Sequence, residues 1–281
     1  MSARDLQHRL EDALEGVSDD ALRSHLASAF TTPASNATLR QIERAFQHVT
    51  ALAPHDDGLR WFFRSWSMTN NSAMCVSGLG NRLSMELRDH PEEAERLIGA
   101  LVSLHRIADE DLGVGNGLLH ADLFYSMATT LCGDDAWQSK QYLTAEAAAF
   151  KHWKDRCALV DDDLVAGLLT TVVHEIYTHG EVEFLWPLFE GWLAGSGWTE
   201  WQRERTLQWV TVHCGGTELE HFGHAVDALS FYAGGLQELT ERGDVATTVA
   251  SYLDHKSLAM TSIVEHLGVA DASMSTAIPV G

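Results

Sequence analysis

A chain of 281 residues in which 45% of side chains are hydrophobic can bury a large core and is too apolar to stay disordered. Forty acidic against nineteen basic residues leave a formal charge of −21, spread along the chain without a basic patch, which argues against a polyanionic nucleic-acid partner. No apolar run approaches the roughly 18 residues of a membrane-spanning helix, and MSARDLQHRLEDALEG lacks the apolar stretch of a secretory leader.

Leu6, Leu10 and Leu14, then Leu22, Leu26 and Phe30, recur every four residues, which predicts helices over 3–15 and 19–30. The same spacing predicts helices over 36–52, 57–89, 92–110, 117–131, 135–158, 161–194, 199–233 and 244–267. Alternating apolar and polar runs with hairpin dipeptides are scarce, so no strands are expected. The glycine-rich pieces at 113–117 and 194–198 follow no strand and are read as loops rather than phosphate cradles. The expected organisation is an N-terminal helical extension over 1–54, a main bundle over 55–268 and a loose tail over 269–281. Cys75, Cys132, Cys157 and Cys214 form no CxxC pair. That excludes a disulfide framework and a thiolate zinc knuckle, and suits a cytoplasmic setting.

Fifteen histidines raise the question of metal binding, and three stretches place carboxylates and imidazoles at usable spacings. In the first, Glu110 ends one helix and His120 opens the next beyond a glycine-rich bend. A solvated acidic helix end followed by a capping histidine also accounts for it. In the second, Glu183 lies among apolar neighbours, where a buried carboxylate needs a cation, a donor or a proton. An outward-facing Glu183 paired with Lys or Arg fits as well. The third, WVTVHCGGTELEHFGHAV, is the densest. Glu218 and His221 share one helical face and Glu220 and His224 a neighbouring one. A π-bulge at Gly215-Gly216 would turn His213 onto the Glu218/His221 face. Carboxylates and imidazoles without thiolates suit iron or manganese, with zinc as another option.

Three segments, IADEDLGVGNGLLHADLFYSMATTLCG, EVEFLWPLFEGWLAGSGW and WVTVHCGGTELEHFGHAV, carry a resemblance. In order and spacing they resemble the signatures N-x-x-D-E-x-G … H-x-x-L-F … L-G, E-x-x-x-P-x-x-x-x-G-L and F-x-x-H-x-x-x-D-x-x-H-x-x-x-A of the heme-oxygenase-like diiron oxidases and oxygenases. The resemblance covers about residues 105–228. It implies an all-α heme-oxygenase-like helical bundle holding two Fe(II) ions, with O2 as co-substrate for oxidising a small organic molecule, amino-acid-like or fatty-acid-like. By position it carries metal-ligand roles onto Glu110, His120, Glu183, His213, Glu218 and His221. Glu86, the only carboxylate between Asp57 and Asp89, is the candidate for the first-helix ligand by elimination.

The interval from His213 to Glu218 is one residue longer than the family's, and Glu218 stands where an aspartate is usual. Asp109, Asp111 and Glu220 are candidates for partners of the ligating histidines. Trp61, Phe62, Trp66, Phe124, Tyr125 and Trp186 are candidates for the pocket lining, or for ordinary core. No membrane partner is expected, and bundles of this sort often form homodimers. Other members of that fold offer alternatives: thiaminase II and pyrroloquinoline quinone synthase work without metal, and heme oxygenase binds heme through one histidine. A non-catalytic helical binding protein is the alternative of another class.

Overall fold

The computed structural model describes residues 5–17, 19–114, 117, 119–233 and 244–267, and its first three helices each begin at a capping oxygen. Asp5 caps α1 (Leu6–Leu14), Asp19 caps α2 (Asp20–Phe30) and Thr32 caps α3 (Pro33–Thr50), each accepting from a backbone N–H of the first turn. There follow α4 (Gly58–Asn70), α5 (Ala73–Asp89), α6 (Ala94–Asp111), α7 (His120–Cys132), α8 (Ala145–Leu159) and α9 (Leu164–Gly195). The chain closes with α10 (Glu200–Thr206), α11 (Gln208–His213), α12 (Gly216–Ala233) and α13 (Asp244–Val264). Among the described residues there is no strand. The protein is all-α, as expected. The expected tail at 269–281 lies outside the described residues.

Three expected helices are interrupted, each for a local reason. The helix over 57–89 breaks at Asn71, whose ψ is 106°. Buried Lys154 donates to the carbonyls of Thr69 at 3.3 Å and Asn71 at 3.1 Å, so a cation rather than further amides satisfies the end of α4. The stretch expected at 135–158 opens with two single 3₁₀ turns, and the Thr144 side chain then caps α8. The helix over 199–233 is divided into α10, α11 and α12. Instead of a π-bulge, Cys214 is extended with ψ 147° and Gly215 takes the left-handed conformation with φ 80°, which glycine adopts without steric cost. The Gly215 N–H exposed by the break donates to Glu183 Oε1 at 2.8 Å.

The organising element is α9, 32 residues long and so about 48 Å from end to end. From Leu168 to Leu185 every side chain of α9 except Glu183 is buried, because α1, α5, α8, α11, α12 and α13 surround it. The N-terminal helices share this interior: Leu6, Leu10, Leu22, Leu26 and Phe46 belong to the same continuous core as Leu168 and Val172. No helix among the described residues is long and apolar enough to cross a membrane. A helix enclosed on all sides should be apolar throughout. Yet α9 carries His174, Glu175, Thr178, His179 and Glu181 in its buried stretch, and each must be partnered or serve a purpose.

Candidate metal centre

Six donor side chains from five helices gather on one side of α9. Asp111, His120 and His213 form one triad and Glu175, Glu218 and His221 another, the ligand atoms of each lying within 4.8 Å of one another. The triads adjoin, with His213 Nε2 3.5 Å from Glu218 Oε1 and the His120 and His213 rings 4.5 Å apart. Four of the six sit where helices stop or start: Asp111 ends α6, His120 opens α7, His213 ends α11, and Glu218 lies in the first turn of α12. Asp111 and His120, on successive helices, share one triad, and the Gly215 break between α11 and α12 leaves His213 and Glu218 side by side.

The protein's own hydrogen bonds select the histidine nitrogens. His213 Nδ1 donates to the Trp209 carbonyl at 2.5 Å, which leaves Nε2 as the lone-pair nitrogen facing Glu218. His221 Nε2 donates to Glu110 Oε2 at 3.1 Å, so Nδ1 turns toward Glu175 Oε2 and Glu218 Oε2, each 3.9 Å away. Burial, with the neighbouring His120 imidazole adding to it, lowers the His213 pKa to about 4; this imidazole is neutral at pH 7. Burial pushes Glu175 up to about 8, reinforced by Asp111, and raises Glu218 well above the carboxylate range, reinforced by Glu175. Burial also acts upward on Asp111, but the imidazoles of His120, His221 and His213 outweigh it and hold this carboxyl below its usual range.

The residues fit a metal by a direct observation. His120 Nδ1, Glu175 Oε1 and Glu218 Oε2 are buried side-chain atoms without a hydrogen-bond partner, and all three belong to the triads. His120 Nδ1 stands 3.2 Å from Asp111 Oδ1 yet makes no hydrogen bond there. Buried, unpaired carboxylate oxygens and ring nitrogens cost several kcal/mol unless a cation or proton completes them. Among the described residues lining the cavity beside them there is no Lys or Arg to do so. Oxygen and nitrogen donors without thiolate match iron, manganese or zinc. The cavity, of about 150 Å³, is bounded by Ser67, Asn70, Asn71, Leu119, Phe124, Tyr125, Thr178 and Trp209, among others.

His120, His213, Glu218 and His221 thus meet, whereas three other expected ligands stand elsewhere. Glu86 accepts from Tyr232 Oη at 3.0 Å and lines no part of the cavity, because α5 turns that side chain toward the end of α12. Glu183, besides accepting from Gly215, lies 3.7 Å from Arg9 Nη1. It sits eight residues beyond Glu175, about 12 Å further along α9, and so serves the Gly215 break and α1. Glu110 orients His221 rather than facing both triads. The pair Glu220 and His224 lies on the less buried face of α12. Of the expected aromatics, Phe124 and Tyr125 line the cavity. Phe62 and Trp66 are core, Trp61 stacks on His266 at 3.8 Å, and Trp186 is half-buried outside the lining.

Two donors, Asp111 and Glu175, take positions that the expectations assigned to other carboxylates. Anchoring the D-E-x-G signature on Gly113 places its glutamate at Asp111 rather than Glu110. Glu175 had a signal too: the run His174-Glu175-Ile176-Tyr177-Thr178-His179 sets polar side chains inside a helix apolar on every face.

The chain is therefore an all-α bundle with a buried carboxylate–histidine centre. Among solved structures it is similar to a TenA homolog from Pseudomonas syringae pv. tomato, at 14% identity and a TM-score of 0.46, covering 83% of this chain and 93% of that one. No protein-family model and no curated protein matches the chain.

Proposed function

We propose that the chain is a non-heme diiron oxidoreductase of the heme-oxygenase-like kind, using O2 to oxidise a small organic molecule. The observation that carries this reading is the convergence of two adjoining donor triads, three of whose buried atoms have no hydrogen-bond partner. Two Fe(II) ions bound there would supply the electrons for reducing O2 and open coordination positions beside the substrate. Three carboxylates against four positive charges nearly balance, so the centre needs no lysine or arginine beside it.

The protein's own work is positioning. Glu110 and the Trp209 carbonyl hold the lone pairs of His221 and His213 inward. The cavity lining combines apolar Leu119, Phe124 and Trp209 with polar Ser67, Asn70, Asn71 and Ser72. The volume suits a compact molecule rather than a polymer.

Anaerobic titration of the metal-free chain with Fe(II) should load two irons per chain, raise the melting temperature and make the protein consume O2 on exposure to air. Failure of the wild type to take up stoichiometric iron, or full uptake by His213→Ala and Glu218→Ala, refutes the reading. A second reading keeps the cavity without metal, as in thiaminase II, and the likeness to a TenA homolog accords with it. There, Glu175 and Glu218 would share a proton and act as an acid–base pair, which the raised Glu175 favours. Activity that survives exhaustive chelation would favour this second reading.

A further inference from the structure

Two further polar atoms are buried without a partner, and both belong to residues lining the same cavity: Asn70 Nδ2 and Thr178 Oγ1. Neither is one of the six metal-facing donors. Thr178 is 6% exposed and follows Glu175 by three residues, one turn along the same face of α9. Nearby threonines of α9 spend their hydroxyls within the helix, Thr170 on the Ala166 carbonyl at 2.8 Å and Thr171 on the Gly167 carbonyl at 3.1 Å. The Thr178 hydroxyl makes no such bond.

The amide of Asn70 is held in one orientation. Lys256 Nζ donates to Asn70 Oδ1 at 3.1 Å. An ammonium group has only donors, so the amide oxygen faces the lysine and the NH2 group faces away from it. Lys256 is in turn anchored by Glu181 Oε2 at 2.9 Å, with both side chains fully buried. A buried ion pair thus stands behind a neutral donor and aims it.

We propose that Asn70 Nδ2 and Thr178 Oγ1 form the substrate-anchoring subsite, holding an oxygen acceptor of carboxamide or carboxylate type one helical turn from Glu175. The proposal rests on the metal-centre reading for the identity of the reaction, but not for the binding itself. Two neutral donors recognise an acceptor oxygen and reject a molecule that offers none, because both donors would then stay buried and unpaired. Phe124, Tyr125 and Trp209 provide apolar surface for the remainder of the molecule.

The test uses benzamide as probe and toluene as its acceptor-free counterpart, by saturation-transfer NMR titration of the full metal-free and Zn(II)-loaded chain. Wild type should bind benzamide more tightly than toluene. Thr178→Val and Asn70→Asp should each weaken benzamide about tenfold, the value of one hydrogen bond, and leave toluene unchanged. Thr178→Ser should restore binding. Thr178→Val should melt no lower than wild type, since its hydroxyl has no protein partner to lose; a lower melting temperature would make that hydroxyl structural and overturn the proposal. Equal benzamide binding by all variants, or no preference over toluene in wild type, overturns it too. Iron uptake measured on the same proteins separates the two ideas: the benzamide pattern without iron uptake sinks the metal centre alone, and iron uptake without the pattern sinks the subsite alone.

Discussion

Replacing Lys256 with methionine tests the interior most directly. Lys256 and Glu181 are both 0% exposed and lie 2.9 Å apart. Glu181 also accepts from Trp66 Nε1 at 2.9 Å and Tyr177 Oη at 2.7 Å. Methionine fills a similar volume but leaves a buried carboxylate held only by two neutral donors, a loss worth about 3–5 kcal/mol. For 281 residues an unfolding entropy of about 2.1 cal/mol/K per residue gives about 0.6 kcal/mol per degree. Lys256→Met should therefore lower the melting temperature by about 5–8 °C. Adding Glu181→Gln removes the unpaired charge and keeps an acceptor for Trp66, so the double variant should recover most of that loss. Urea unfolding of the four proteins of the cycle measures the coupling directly, expected at about 2 kcal/mol or more. A single variant costing less than about 1 kcal/mol, or a coupling near zero, would refute the claim that this pair is held by its geometry.

Other outcomes follow from the same interior. Lys154 is lowered from 10.5 to about 8 by burial, so the native state releases its proton before the unfolded chain does. The destabilisation from this buried charge is complete below pH 8 and fades between pH 8 and 10.5, so wild type should gain up to ~3 kcal/mol of stability relative to Lys154→Met across that window in paired urea titrations. Glu110→Ala frees His221 Nε2 and should weaken Fe(II) or Zn(II) binding about 10–100-fold, read by competition with a chromophoric chelator; unchanged affinity would remove Glu110 from the positioning role. Gly215→Ala meets no neighbouring atom within 4 Å and so reports backbone strain alone, about 1–2 kcal/mol by chemical denaturation. Glu86→Gln and Glu183→Gln should leave metal stoichiometry at the wild-type value, and loss of an ion in either would contradict the geometry of the centre.

The fate of three carboxylates on α9 separates what is local from what is not. Glu175, Glu181 and Glu183 share one helix and similar apolar neighbours, yet one faces the donor triads, one binds Lys256 and one accepts from Gly215. The partners come from α12, α13 and the α11–α12 join, so no window of sequence around the glutamates can distinguish them. The same holds for Glu110 and Asp111: adjacent side chains at a helix end point about 100° apart, and only the placement of α7 and α12 selects between them.

Helix content, the absence of strands, and the pairing of Glu218 with His221 on one face could all be read from the sequence, because periodicity acts within a few residues. Tertiary structure alone decided the break at Asn71, where Lys154 from α8 takes the carbonyls that would have continued the helix. It likewise chose Asp111 and Glu175 over Glu110, Glu183 and Glu86, and it set Asn70 and Thr178 toward the cavity. Burial and partnership are properties of several helices at once, and the energy that favours one carboxylate over its neighbour exists only after those helices have packed.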